Sequence, residues 1–144
     1  MQLQQIDVTG ARIVGAITRE LGFDGPKHHA VILGRGFHDG ETYIAELMAH
    51  GHQIATYGDF RHRYAANGPI RLEPNAGPNT NAQVALRALA EVRQGEATYD
   101  LVVNNCESFV NRAMHGNSTS SQVVNTALGL AVLVGLYYAI KNSR

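Results

Sequence analysis

The first half of the chain consists of short apolar runs, rich in β-branched residues, that are separated by turn-forming residues. Such runs are typical of β-strands. The turn sequence Phe-Asp-Gly-Pro at 23–26 separates the first two runs, and four residues, few enough for a hairpin, join the third to the fourth. The pattern predicts five strands, at residues 11–18, 28–34, 42–47, 52–57 and 69–73.

The spacing of apolar residues becomes helical from residue 82 onwards. Thr80 or Asn81 can cap the start of this predicted helix, and Gly95 can end it. Between them, apolar residues recur at i, i+4 and i+7, at Ala85, Leu89 and Val92.

A short extended stretch is predicted at 99–103, followed by a second helix. Asn105 can act as its N-cap and Gly116 as its stop. Its apolar face consists of Cys106, Val110 and Ala113. Because the strands precede the helices, the order predicts an α+β fold, with an antiparallel sheet packed against helices, rather than an alternating parallel fold.

The last part of the chain contains an uncharged apolar run at 123–140. As a helix it would be about 27 Å long, near the lower limit for crossing a bilayer. We therefore expect one domain over 1–120 and an apolar C-terminal helix over 121–144 that anchors the protein to a membrane. The alternative is a helix that closes the core or pairs with another chain.

Composition excludes several classes of function. Basic and acidic residues number 12 each, so the formal net charge is zero, and we expect no nucleic-acid partner. A single cysteine excludes an intramolecular disulfide and a cysteine-based zinc site, and the histidines lack ligand spacing, so we expect neither metal nor cofactor. The first ten residues lack the basic start and apolar run of a secretory signal, which predicts an intracellular location.

The single cysteine, Cys106, falls at the start of the second predicted helix, beside the cap residue Asn105. A helix N-terminus favours negative charge and therefore the nucleophilic thiolate. Its free backbone N–H groups, including that of Cys106, can hold an oxyanion. The alternative is that Cys106 is a small buried apolar residue or an incidental thiol.

A thiol nucleophile needs a base, and a histidine is the usual one. His28 and His29 stand out because they open an apolar strand, where alternation sends their side chains to opposite faces. Alternation alone does not choose between them. The other candidates are His38, His50, His52, His62 and His115.

These segments resemble the lecithin:retinol acyltransferase and H-Ras-like-suppressor phospholipase/acyltransferase family, a permuted branch of the NlpC/P60 papain-like superfamily. Members have a His-x-(Ala/Gly)-Ile-Tyr-(Leu/Val)-Gly strand before an Asn-Cys-Glu-His-Phe-Val helix start. The matching stretches are His-His-Ala-Val-Ile-Leu-Gly at 28–34 and Asn-Cys-Glu-Ser-Phe-Val at 105–110, so Ser108 replaces a histidine. The resemblance covers roughly residues 10–140 and implies a permuted papain-like fold.

The resemblance also implies roles for individual residues. Cys106 would be the nucleophile and His28 the base, because the family's base lies six residues before the closing glycine of its strand. His29 is the second choice. Glu46 stands where relatives carry a second histidine, and a carboxylate there could orient the imidazole and stabilise the imidazolium. Alternatively, Glu46 is a solvent-facing strand residue and His38 is the third member.

The implied function is thiol-dependent acyl transfer or hydrolysis on acyl lipids, of the phospholipase A or N-/O-acyltransferase type. It would proceed through an acyl-thioester on Cys106, at a membrane reached through 123–140. One alternative is a cysteine peptidase or amidase acting on cell-wall peptides, which the missing export signal disfavours. The other is a non-catalytic interaction module of the same fold, which the presence of both Cys106 and His28 disfavours.

Overall fold

The computed structural model describes residues 3–4, 8–95 and 105–116. The strands are β1 (Leu3–Gln4), β2 (Arg12–Ala16), β3 (Lys27–Gly36), β4 (Thr42–Met48), β5 (Gly51–Thr56) and β6 (Arg71–Glu73). The α-helices are α1 (Tyr57–Tyr64), α2 (Asn81–Gln94) and α3 (Cys106–His115).

All paired strands are antiparallel. The sheet has the order β5-β4-β3-β2-β6, and the short β1 pairs with the C-terminal end of β3. Each of the five predicted strands is present, although β2 and β6 are shorter than predicted. The predicted α+β architecture with an antiparallel sheet is therefore confirmed.

The central strand, β3, is covered on both faces. Ala30 and Ile32 pack in a core that includes Phe60 of α1. Val31 and Leu33 pack on the opposite face, in a core that α2 and α3 complete. Burial on both faces explains why this strand is a continuous apolar run rather than an alternating one.

The sequence prediction missed α1, which begins directly after β5. A capping box starts this helix, because Thr56 Oγ1 accepts from the backbone N–H of Asp59 and the Asp59 carboxylate accepts from the N–H of Thr56, both at 3.1 Å. Phe60 is the helix's one buried residue. A helix that buries one side chain has almost no apolar periodicity, so its pattern could not predict it.

The two predicted helices are confirmed, with their caps. Thr80 and Gln83 form a capping box at the start of α2, and Gly95 ends it in the left-handed conformation at φ 62°. Asn105 caps α3. The predicted apolar face of each helix is buried, at Ala85, Leu89, Val92, Cys106, Val110 and Ala113.

Three predictions fall outside the described residues: the extended stretch at 99–103, the domain boundary at 120, and the apolar run at 123–140. Within the described ranges, no helix has the length and apolar character needed to cross a bilayer. The permuted papain-like connectivity that the resemblance implies stays a prediction.

Candidate active site

Cys106 is the first residue of α3 and is only 7% exposed. Its Sγ atom lies 3.7 Å from the carbonyl oxygen of Lys27, at the start of β3. Asn105 Oδ1 accepts from the N–H of Ser108 at 3.0 Å, and Ser108 Oγ accepts from the N–H of Asn105 at 2.8 Å. Ser108 therefore completes the helix cap at the position where the resembling family has histidine.

His28 lies at the start of β3 and is 5% exposed. Its Nε2 atom donates to Oε1 of Glu46 at 2.7 Å, which leaves Nδ1 as the ring nitrogen available to the Cys106 thiol. The imidazole also packs against Phe60 and Tyr64 of α1, with ring centroids 5.8 Å and 5.2 Å away. These contacts set the ring orientation and hold it between a thiol and a carboxylate.

The pKa values of the thiol and the imidazole shift in opposite directions. Burial acts to raise the pKa of Cys106, but hydrogen bonds from His28 and from the backbone of His29 outweigh burial, so the thiol pKa is lowered. Burial acts to lower the pKa of His28, but its hydrogen bonds with Cys106 and Glu46 outweigh burial and raise it. Both shifts favour a thiolate–imidazolium pair.

Glu46, on β4, is 0% exposed, so its interpretation as a solvent-facing residue is wrong. Its second oxygen, Oε2, accepts from Gln53 Nε2 at 2.7 Å and from Arg63 Nη2 at 2.6 Å. Burial acts to raise the pKa of Glu46, but the hydrogen bonds from His28, Arg63 and Gln53 outweigh burial and lower it. Glu46 is therefore an ionised carboxylate inside the protein.

His29, the second choice for the base, and His38, the alternative third member, lie outside the contacts between Cys106, His28 and Glu46. His29 Nδ1 faces Nη1 of Arg12 at 3.0 Å, on the opposite side of β3 from His28. Burial, and then the charge of Arg12, lower the pKa of His29 to about 4, so its ring is neutral at physiological pH. His38 is exposed in the turn between β3 and β4.

Arg63, Gln53 and Tyr64 contribute to the site, but sequence reasoning missed all three. Arg63 belongs to the short basic cluster at 61–63, and its role depends on α1. The one local signal for that helix is the Thr56-x-x-Asp59 capping sequence. Gln53 and Arg63, the partners of Glu46 that were missed, come from β5 and α1, and no sequence spacing connects them to Glu46.

A second, half-buried network joins β5, α2 and α3, away from Cys106. Glu91 accepts from Nε and Nη2 of Arg112, at 2.8 and 2.7 Å, and also bonds His52 Nε2 at 2.7 Å. A cavity of about 360 Å³ between α2 and α3 is lined by Glu91, Arg112 and Phe109 but by none of the residues around the thiol. Within residues 3–4, 8–95 and 105–116, no cluster of three His, Cys, Asp or Glu side chains could hold a metal ion.

An apolar groove of about 250 Å³ lies on the α1 face of the sheet, which is the face of His28. Val8, Ile13, Ile32, Tyr57, Ile70 and Leu72 supply its apolar lining. Ile32 is four residues along β3 from His28, or about 13 Å at the usual rise of a strand. The groove is therefore near the candidate site but separate from it.

A thiol at a helix start, hydrogen-bonded to an imidazole that a buried carboxylate orients, has the composition of a thiol acyl-transfer centre. The family model described as lecithin retinol acyltransferase matches residues 17–119, and the chain belongs to this family. No curated protein and no solved structure matches the chain significantly.

Proposed function

We propose that this protein transfers or hydrolyses acyl groups of lipids through an acyl-thioester on Cys106. The observation that carries the proposal is the arrangement of Cys106, His28 and Glu46: the imidazole bonds the buried carboxylate at 2.7 Å, and its interaction with the thiol lowers the thiol pKa and raises that of the imidazole. Family membership supports acyltransferase or hydrolase chemistry. The finer assignment, a phospholipase A or an N-/O-acyltransferase, rests on the resemblance of the cysteine and histidine segments.

In the proposed reaction, the thiol proton of Cys106 moves to Nδ1 of His28. The thiolate forms a bond to the acyl carbonyl carbon, and the carbonyl electron pair moves to oxygen. The backbone N–H groups at the start of α3 stabilise this oxyanion. As the oxyanion collapses, the bond to the leaving group breaks, and the leaving group takes the proton from His28.

The second half of the reaction releases the acyl group. Water or an acceptor hydroxyl or amine gives a proton to His28 and attacks the thioester carbonyl. The new bond forms, the thioester bond breaks, and Cys106 returns as thiolate. Glu46 stabilises the imidazolium in both halves without exchanging a proton with it.

A lipid substrate and a membrane location belong to the same proposal. The resemblance of the cysteine and histidine segments supports a lipid substrate rather than a polar peptide. The uncharged run at 123–140 supports anchoring of a 1–120 catalytic domain at an intracellular membrane. The resemblance supports a permuted papain-like arrangement of that domain.

The test is intact-mass detection of the acyl-enzyme. The full chain is mixed with a soluble short-chain diacyl phosphatidylcholine, quenched in acid and weighed. We expect a mass increase of one acyl group, which Cys106→Ala abolishes. Because the chain has one cysteine, an adduct that survives in Cys106→Ala would contradict the proposal.

A second probe, a peptide amide whose acyl group has the same length as that of the lipid, is tested in parallel. It distinguishes the lipid proposal from a peptidase or amidase and from an interaction module. An adduct from the lipid ester and none from the peptide supports the lipid proposal. An adduct from the peptide alone would instead support a peptidase or amidase. No adduct from either probe would overturn an enzymatic role and favour the interaction module.

A further inference from the structure

Arg63 extends the proposed series of thiol, imidazole and carboxylate by one more residue. It contacts the Glu46 oxygen that His28 does not use. Its Nη2 atom donates to Glu46 Oε2 at 2.6 Å, while His28 uses Oε1. The charges along Cys106, His28, Glu46 and Arg63 therefore alternate in sign when the thiolate–imidazolium pair forms. This order gives each buried charge a neighbour of opposite sign, and a buried charge without such a partner is strongly disfavoured.

Three donors to Glu46 lie among the residues that the structure describes, and of these only Arg63 carries a permanent charge. Gln53 is neutral, and His28 is charged only while it holds the thiol proton. Burial is the largest influence on Glu46 and acts to raise its pKa. The hydrogen bonds from His28 and then from Arg63 act to lower that pKa, and the charge of Arg63 is present whether or not His28 is an imidazolium.

The guanidinium is held in place by contacts of its own. Arg63 Nη1 donates to the hydroxyl of Tyr64 at 3.1 Å and approaches Sδ of Met48 at 3.5 Å. The guanidinium carbon also lies 5.1 Å from the ring centre of Tyr64 and 5.8 Å from that of Phe60. The same two rings pack against His28, so α1 positions the cation and the imidazole together.

We propose that Arg63 is a positioning residue that acts through Glu46: it keeps that carboxylate ionised and aimed at His28, and so sustains the Cys106 thiolate. This inference rests on the proposed role of Cys106 as nucleophile. Without Arg63, Glu46 binds a proton more readily. A protonated Glu46 no longer stabilises the imidazolium, and the thiolate loses its partner.

The rate of Cys106 alkylation by iodoacetamide, followed by intact mass across pH, tests the inference without any substrate. Alkylation reports the thiolate, and the single cysteine makes the adduct unambiguous. In Arg63→Met we expect the acid limb of the profile of alkylation rate against pH to move up by about one pH unit. Alkylation should therefore be about tenfold slower at pH values below the midpoint of that limb. Arg63→Lys should restore most of the shift.

Arg61→Met is the matched control, because Arg61 is exposed in the same last turn of α1 and its loss removes the same charge. Its acid limb should coincide with that of the wild type. Arg63→Gln, which is neutral but polar, should reproduce the shift of Arg63→Met and replaces that variant if it does not fold. Circular dichroism establishes folding in each case.

A double-mutant cycle with Glu46→Gln shows whether Arg63 acts through Glu46. In the Glu46→Gln background, Arg63→Met should produce no upward shift, because only direct repulsion between Arg63 and the imidazolium remains to be removed. Three results would overturn the inference: an upward shift of equal size in the Glu46→Gln background, an unmoved acid limb in Arg63→Met, or a downward shift of that limb in Arg63→Met. A wild type that alkylates as expected but forms no acyl-enzyme would instead refute the proposed function alone.

Discussion

His28 and Glu46 form a 2.7 Å hydrogen bond across two neighbouring antiparallel strands. Ile32 of β3 pairs with Ile44 of β4, and residues opposite each other in a pair share a face. His28 and Glu46 lie an even number of residues from that pair, so both project from the face that α1 covers. The strand register therefore places the carboxylate against the imidazole, and burial makes the contact strong.

Substitution of the two adjacent histidines should separate their roles. We expect His28→Gln to slow acyl-enzyme formation by about 10²–10⁴-fold, the range for loss of a general base. His29→Gln should change the rate little, because its side chain faces Arg12 rather than the thiol. Quenched intact-mass time courses at neutral pH measure both rates. Equal losses in the two variants would contradict the assignment.

Acid should destabilise the fold through Glu46. Its folded-state pKa is lowered, so the unfolded chain binds more protons below the ordinary carboxyl pKa of about 4.3. The stability that the ionised carboxylate contributes is present above that pH and is lost as pH falls through the folded-state pKa. We expect the free energy of unfolding in urea to decrease over this window.

Glu46→Gln should remove part of that acid-dependent slope, because a glutamine side chain does not titrate. Glu91 retains part of the remainder, since its pKa is also lowered: burial acts to raise it, but hydrogen bonds from Arg112 and His52 outweigh burial. Glu41→Gln, at an exposed position, is the control and should keep the wild-type slope. A wild-type slope in Glu46→Gln would be inconsistent with an ionised buried Glu46.

Loss of the N-cap of α1 should change both the free energy of unfolding and the reactivity of Cys106. Thr56→Ala removes the side-chain acceptor for the N–H of Asp59, which typically reduces the free energy of unfolding by about 1 kcal/mol. Because α1 carries Arg63, Phe60 and Tyr64, the same change should also slow Cys106 alkylation at neutral pH. Thr56→Ser keeps the hydroxyl and should retain most of both properties. Chemical denaturation and the alkylation assay measure the two effects.

Deletion of residues 121–144 tests the predicted membrane anchor. We expect the full chain to sediment with phosphatidylcholine liposomes and the shortened chain to remain in the supernatant, because an uncharged 18-residue run favours the bilayer. Alkylation of Cys106 in the shortened chain controls for an intact site. A shortened chain that still sediments with the liposomes would assign membrane binding to residues 1–120.

Local patterns were sufficient for most of the secondary structure. The five strands and the helices α2 and α3 have clear apolar spacing or capping residues, and the structure contains all of them. The helix α1 escaped prediction because it buries Phe60 alone, and a single apolar residue has no period. The same helix carries Arg63, so that part of the site escaped prediction with it.

The individual candidates Cys106, His28 and Glu46 were identified from residue types, a helix start and the resemblance of two short segments. Only the tertiary structure brings them together, because they come from α3, β3 and β4, and sheet register and helix packing decide which side chains meet. The structure also decides between His28 and His29. Alternation places these two on opposite faces, but only packing makes one face the thiol and the other Arg12.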